Sequence, residues 1–365
     1  MYIVSSEYLK CADKIKAVIR TKKKGFSAKL NVRGKEYPDC FNIEEPYDVK
    51  THVFYIPLTE MKDGDKLTLS LIRHKKLKHI SNYKFTYKEC FADEEALLSE
   101  YDSRIIPYKT ETEKVCDGVT YCHYECADKN SAPVHIFTIE VETDKATLYV
   151  GTPDDGYENV KVKAKVPEMI DSAVKNGVNV VAAMNADFFD MFGDCHPSGL
   201  CVKNGRVVAN ENSPRPFIDI KKDGTPVITD SVETPGIVSE LYQAAAGLEM
   251  IVKDGKIYDW GPLEPFSFVR HPRTAAGVTK DGKVILLEVD GRIPEYSNGA
   301  SLVDLANWMI KLGADIAINL DGGGSSIVYT KKGDSFELRN NPADLVRPRA
   351  KLIRKEFDAL LVVGK

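Results

Sequence analysis

KVILLEVDGRIPEYSNGASLVDLANWMIKLGADIAINLDGGGSS, residues 283–326, holds the elements on which the fold turns. The run VILLEV is uniformly apolar and rich in branched side chains, which predicts a buried strand ending at Asp290-Gly291-Arg292. Ser301 stands as an N-cap with Asp304 three residues on, and Leu302, Leu305, Ala306, Met309 and Ile310 share one helical face. Gly313 closes that helix. DIAINL is the next strand, ending at Asp321, and three glycines and two serines follow it. If the two strands are parallel neighbours, the crossover helix places both carboxyl ends on one sheet edge. Asp290 and Asp321 then emerge side by side, about 4.8 Å apart by strand spacing. Strand–helix–strand order of this kind predicts an α+β catalytic domain, a mixed sheet with helices.

Working outward, VNVVAAM reads as a buried strand leading into NADFFD, with Asn185 and Asp187 at its end. VPEMIDSAVKNG reads as a helix with Pro167 in its first turn. VHIFTIEVE and ATLYVG read as strands paired through TDK. Residues 1–90 show short alternating runs such as KLTLSLIRH, separated by turn signals, which predicts a small all-β, sandwich-like domain. FADEEALLSEY, residues 91–101, reads as a short acidic helix. The predicted organisation is an accessory domain over 1–90, a linker over 91–114 and a catalytic domain over 115–365.

Composition narrows the function classes. Of 365 residues, 43% are hydrophobic and 28% charged, the balance of an ordinary globular protein. No apolar run reaches the roughly 18 residues of a membrane helix. MYIVSSEYLK lacks a basic stretch followed by an apolar one, so the expected location is cytoplasmic. Net charge is −4, yet residues 1–90 carry 19 Lys and Arg against 11 Asp and Glu. The run 73–79, RHKKLKH, is densest, and reads as a solvated strand end rather than a nucleic-acid patch. Eight cysteines do not make a disulfide scaffold. Cys116, Cys122 and Cys126 beside His123 lack paired zinc spacing, and Cys195 and Cys201 are close enough in sequence to pair in an oxidising compartment.

The glycine run matches none of the familiar phosphate loops. No Gly-Lys-Ser/Thr follows it, it is not GxGxxG, and it lacks Gly-x-Ser-x-Gly. What remains is backbone N–H of Gly322, Gly323 and Gly324 unobstructed by a Cβ, with Ser325 and Ser326 adding hydroxyls, an arrangement able to hold an anion. A plain glycine-rich turn is the alternative. HPRTAAGV supplies Arg273, whose planar fork suits phosphate or carboxylate, and His271 as an acid or donor. LRNNPADLVRPRA adds Asn341, Asp344, Arg347 and Arg349.

Taken in order, AAMNADFFD, SGLCVKNGRVV, HPRTAAGVTKDGKVILLEVDGR, YSNGASLVDLANWMIKLGADIAINLDGGGSS and NNPAD resemble the phosphodiester glycosidase family over residues 115–365. Asp187 stands where many members carry glycine. The resemblance implies hydrolysis of the bond between a sugar, GlcNAc foremost, and a phosphodiester that keeps its second ester. Phosphate is a good leaving group, so stabilising its charge matters more than protonating it, a task for Arg273, Arg292 and the 322–326 backbone. A carboxylate then activates water or attacks the anomeric carbon, with Asp321 and Asp290 as candidates. Asn319, Asn185, Ser297 and Asn298 are candidates for sugar hydroxyls or the N-acetyl group. No cofactor is required, although clustered Asp and Asn oxygens would suit Ca²⁺ or Mg²⁺. The competing readings are a non-catalytic binder of phosphorylated glycans and a polyanion binder acting through residues 1–90.

Overall fold

The computed structural model describes residues 3–11, 14–22, 26–38, 41–45, 49–62, 64–73, 80–86, 92–93, 105–128, 131–157, 162–190, 195–210, 215–229, 238–258, 269–347, 350–351 and 353–365. The chain divides into two compact units, one built on residues 1–102 and the other on 103–259 and 269–365. The basic run expected at 73–79 lies outside the described residues beyond Arg73. The acidic helix expected at 91–101 does too, apart from the short strand Ala92–Asp93.

In the first unit, a five-stranded sheet runs in the order Phe41–Glu45, Val49–Pro57, Lys14–Lys22, Ile3–Cys11, Ala92–Asp93. A four-stranded sheet runs Lys35–Pro38, Phe26–Val32, Lys66–Arg73, Ile80–Thr86. The alternation in KLTLSLIR puts Leu67 and Leu69 inside, where they join Leu30 and Val32 of the same sheet. Ala17, Ile19, Phe54 and Ile56 of the other sheet complete that core.

The second unit is almost entirely antiparallel β-structure, which corrects the α+β expectation. An eight-stranded sheet runs Ile106–Cys116, Val119–Ala127, Pro133–Val141, Val284–Val289, Arg273–Thr279, Ala314–Leu320, Met250–Lys253, Lys256–Ile257. A five-stranded sheet runs Ala146–Gly151, Ala359–Gly364, Val180–Asn185, Val328–Lys332, Ser335–Leu338. A third runs Arg206–Asn210, Leu200–Lys203, Gln243–Ala246, Phe217–Ile220, Pro226–Thr229. All three feed one apolar core, through Ile139, Leu286 and Leu320, through Leu148, Met184 and Leu360, and through Ile218 and Ala245. Among the described residues only Val166–Lys175 and Leu302–Lys311 are α-helices. None is long and apolar enough to cross a membrane.

The strands bearing Asp290 and Asp321 do run in the same direction, but they are not neighbours. Arg273–Thr279 lies between them, antiparallel to both, with Thr274 facing Glu288 on one side and Leu320 on the other. The turn signal TKDGK makes 273–289 a hairpin, and the Leu302–Lys311 helix then carries the chain over it. Two strand spacings separate the two acids, roughly 9–10 Å, and Arg273 starts its strand in the gap. VILLEV is buried throughout, with Val284 and Leu286 in the shared core, and the helix packs on the neighbouring strands of the same sheet, Arg273–Thr279, Ala314–Leu320 and Met250–Lys253. Gly277 permits that approach, since a Cβ there would collide with the Met309 methyl. The expected 134–151 hairpin is also corrected. Both edges of Pro133–Val141 are already paired, with Val119–Ala127 and Val284–Val289, so Ala146–Gly151 crosses to the C-terminal strand.

The Leu302–Lys311 helix begins with a reciprocal cap: Asp304 N donates to Ser301 Oγ at 3.0 Å and Ser301 N to Asp304 Oδ2 at 2.9 Å. Ser301→Ala is expected to cost about 1 kcal/mol, read as a lower urea midpoint with an unchanged slope. A midpoint equal to the parent's would show that the cap does not stabilise this helix.

Candidate active site

Two buried asparagines fix the glycine loop. Asn185, at the end of Val180–Asn185, donates through Nδ2 to the Asp321 carbonyl at 2.6 Å, and its Oδ1 accepts from Ile327 N at 3.1 Å and from Thr274 Oγ1 at 3.3 Å. Asn340 donates to the Ser326 carbonyl at 3.0 Å and accepts from Val328 N at 3.0 Å. The residues between have little freedom, and each glycine has a neighbour that excludes a side chain. A Cβ on Gly322 would sit 2.6 Å from the Pro272 carbonyl oxygen. Gly323, at φ +66°, lies under the Arg292 guanidinium. A Cβ on Gly324 would fall on the Asp344 carboxylate and the Arg354 guanidinium. Two amides expected to face an anion are spent inside the fold: Gly323 N donates to Pro272 O at 2.9 Å and Ser325 N to Gly322 O at 3.2 Å.

Asp321 opens this loop and is partly exposed. Its Oδ2 accepts from Ser325 Oγ at 2.6 Å, and Arg354 Nη1 donates to the same hydroxyl at 3.1 Å. Arg354 also grips Asp344 Oδ2 through Nε at 2.9 Å and Nη2 at 2.7 Å. Burial pushes the Asp321 carboxyl up to about 6, against the opposing pull of Ser325, Arg354, the Gly322 amide and Arg292. Behind it lie three more acids, Asp187, Glu356 and Asp358, at most 2% exposed. Asp358 Oδ1 accepts from Asp187 N at 2.9 Å, whereas both carboxyl oxygens of Asp187 and of Glu356 lack a hydrogen-bond partner. Burial, then mutual repulsion, raises Asp187 well above the carboxylate range; burial and the Asp321 charge do the same to Glu356. Asp358 is raised to about 7, chiefly by burial. Burial thus disfavours the ionised form of all three.

Asp290 is built differently. It is 1% exposed and accepts from Asn340 Nδ2 at 3.0 Å, Asn341 N at 2.7 Å and the Tyr296 hydroxyl at 3.2 Å. Ser297 donates to the Asp290 carbonyl at 2.5 Å and accepts from His135 N at 3.1 Å. Through Asn340, this acid braces the glycine loop. Arg273 is 4% exposed and donates from Nε to the Ala300 carbonyl at 3.2 Å and from Nη2 to that of Val269 at 3.0 Å. Burial lowers it to about 10. Its charge reaches Glu249, which accepts from Asn319 Nδ2 at 2.9 Å. His271 is held down to about 4 by burial and by Arg273 and Arg292, so it is neutral at pH 7. Asn298 lies 3.4 Å from Asp128.

The structure therefore groups Asp321, Gly322–Ser325, Arg292 and Asp344 around one loop. It assigns Asn185, Asp290, Ser297 and Ser326 to bracing that loop, and sets Arg273 and Asn319 beside Glu249. Sequence reading missed Arg354, Glu356, Asp358 and Glu249. IRKEFDALL carries no motif, and only the apolar strand after EFD hints that these acids point inward. The side chains of Arg347 and Arg349 lie outside the described residues. Among those described, no group of three or more His, Cys, Asp or Glu is arranged to hold a metal. Cys195 and Cys201 are both free thiols, as are Cys116, Cys122 and Cys126.

Residues 178–353 match the family model described as phosphodiester glycosidase. The family likeness lies in that segment, just under half of the chain. The N-acetylglucosamine-1-phosphodiester alpha-N-acetylglucosaminidase of Mus musculus is 29% identical over 174 residues, 43% of this chain and 32% of that protein. The Bos taurus protein of the same name is 31% identical over 161 residues, 40% of this chain and 30% of that one. The chain thus spans about a third of the length of these phosphodiester glycosidase relatives. The zebrafish enzyme's catalytic domain, solved in a form auto-inhibited by its pro-peptide, superposes with a TM-score of 0.55 at 20% identity. The match covers 71% of this chain and 89% of that domain, and it shows a shared fold.

Two measurements check this geometry. Gly322→Ala must push against the Pro272 backbone and is expected to cost about 1–3 kcal/mol in a urea melt. The buried acids set the pH response: a carboxyl raised in the folded state contributes stability that is complete below its unfolded value and is lost as pH rises through its folded one. Asp358→Asn is therefore expected to gain stability relative to the parent as pH rises from about 4 to about 7. A parallel pH dependence of the two melting temperatures would contradict that assignment.

Proposed function

We propose that this chain hydrolyses sugar-1-phosphodiesters, breaking the bond between the anomeric carbon and the phosphate oxygen. The observation that carries this reading is Asp321. It is a partly exposed carboxyl held near 6, at the head of a rigid glycine loop beside Arg292, in the segment that matches the phosphodiester glycosidase family. Near neutral pH it is largely ionised and can take a proton from water as the water oxygen bonds to the anomeric carbon. The bond to the phosphate oxygen breaks with its electron pair, leaving a phosphomonoester and free sugar. Arg292 is exposed and lies over Gly323, where it can meet the charge growing on the leaving phosphate. The names of the curated relatives support GlcNAc as the sugar. Asp290, sealed by its donors, keeps the loop in place and does not touch substrate in this reading.

The test is release of free sugar from GlcNAc-α-1-phosphodiesters and a panel of other sugar-1-phosphodiesters. Asp321→Asn is expected to lower kcat by roughly 10²–10⁴-fold while remaining folded. Arg292→Ala is expected to lose about 10²-fold, mainly in kcat. Activity of the parent is expected to rise with pH through an acid limb near 6. Binding without turnover across the whole panel would overturn the enzymatic reading in favour of a phosphorylated-glycan binding protein.

A further inference from the structure

Arg354 lies just beyond the segment that matches the family, yet it reaches the same loop. Three groups stand in line: Arg354 Nη1 donates to Ser325 Oγ at 3.1 Å, and Ser325 Oγ lies 2.6 Å from Asp321 Oδ2. A guanidinium has donors only, so Ser325 must accept from Arg354. The hydroxyl has one proton, and that proton is left for Asp321 Oδ2. The far side of Arg354 is clamped by Asp344, through Nε and Nη2 on one carboxylate oxygen. This clamp occupies the space that a Cβ on Gly324 would fill, so the third glycine exists to admit it.

We propose that Arg354 is a positioning residue for Asp321, acting through Ser325, whose hydroxyl it orients so that Oδ2 is always an acceptor. This rests on the reading of Asp321 as the base. It has a consequence for the chemistry. With Oδ2 engaged by the serine proton, Oδ1 is the oxygen left better placed to take a proton from water. The relay thus selects which carboxyl oxygen reacts and holds the carboxylate in one orientation.

The charged surroundings of Asp321 come from every element packed against it. Arg354 and Arg292 favour its ionised form, whereas Glu356 and Asp358 on the C-terminal segment and Asp187 after Val180–Asn185 oppose it. Asp344 faces Arg354 and Arg292. Removing Arg354 leaves the opposing acids without their nearest counterweight, so Asp321 should ionise at higher pH.

Two readouts in the full-length chain test this, one independent of turnover. The Asp321 carboxyl is followed by ¹³C NMR titration, identified by the signal lost in Asp321→Asn. The acid limb of kcat/KM on a sugar-1-phosphodiester is measured in parallel. Arg354→Gln and the milder Ser325→Ala are each expected to move both upward by about one pH unit. Arg354→Lys keeps the charge but loses the fork, so it should restore most of the titration and less of the rate. An unchanged Asp321 titration in a folded Ser325→Ala variant would overturn the relay. A shifted titration in a protein that hydrolyses nothing would uphold the relay and remove the catalytic reading of Asp321.

Discussion

The backbone at 322–324 has no room for side chains, and much of the site follows from that. Gly322 rests against the Pro272 carbonyl, Gly323 beneath Arg292, and Gly324 against the Asp344–Arg354 pair. A loop so tightly faced cannot drift, which is what a base needs if it is to meet a reacting atom repeatedly in one geometry. Asn185 and Asn340 complete the constraint from the inside, each spending both its donor and its acceptor on the loop or its flanks. The sheet order serves the same end. Placing Arg273–Thr279 between the two acid-bearing strands keeps Asp290 away from Asp321, so that one can brace while the other stays accessible.

The second theme is the concentration of acid. Three buried carboxyls gather behind Asp321, and Asp344 joins them at the loop through Arg354; among the described residues Arg354, Arg292 and, at Asp187, Arg215 oppose their charge. Ionising every carboxyl of this buried group would cost more than the nearby guanidiniums return. Burial therefore disfavours the ionised form of the three deeper acids, and the more accessible one stays near 6. Asp321 is thereby set apart from the buried acids behind it, as the partly exposed carboxyl of the group.

Much of the local structure was legible in the sequence. The buried strands VVAAMN and VILLEV, the Ser301–Asp304 cap and the two helices at Val166–Lys175 and Leu302–Lys311 all follow from periodicity and end signals. The fold class was not legible, because a strand–helix–strand run does not say whether another strand lies between the two. Here TKDGK, a short turn N-terminal to the run, decides the matter by making a hairpin. Asp321 and the glycine loop stood out through their composition. Arg354, Glu356 and Asp358 did not, since IRKEFDALL is ordinary until the fold brings it behind Ser325. The nest of amides read from GGGSS gave way to side-chain cations because two of those N–H groups are needed by nearby carbonyls.

The claim at the centre of this account is that water attacks the sugar carbon and leaves the phosphate untouched. Hydrolysis of a sugar-1-phosphodiester in ¹⁸O-labelled water, with the phosphomonoester product examined by mass spectrometry, tests it most directly. The expected result is a phosphomonoester free of label, because cleavage falls between the anomeric carbon and the bridging oxygen. Incorporation of ¹⁸O into the phosphate would mean attack at phosphorus and would contradict it.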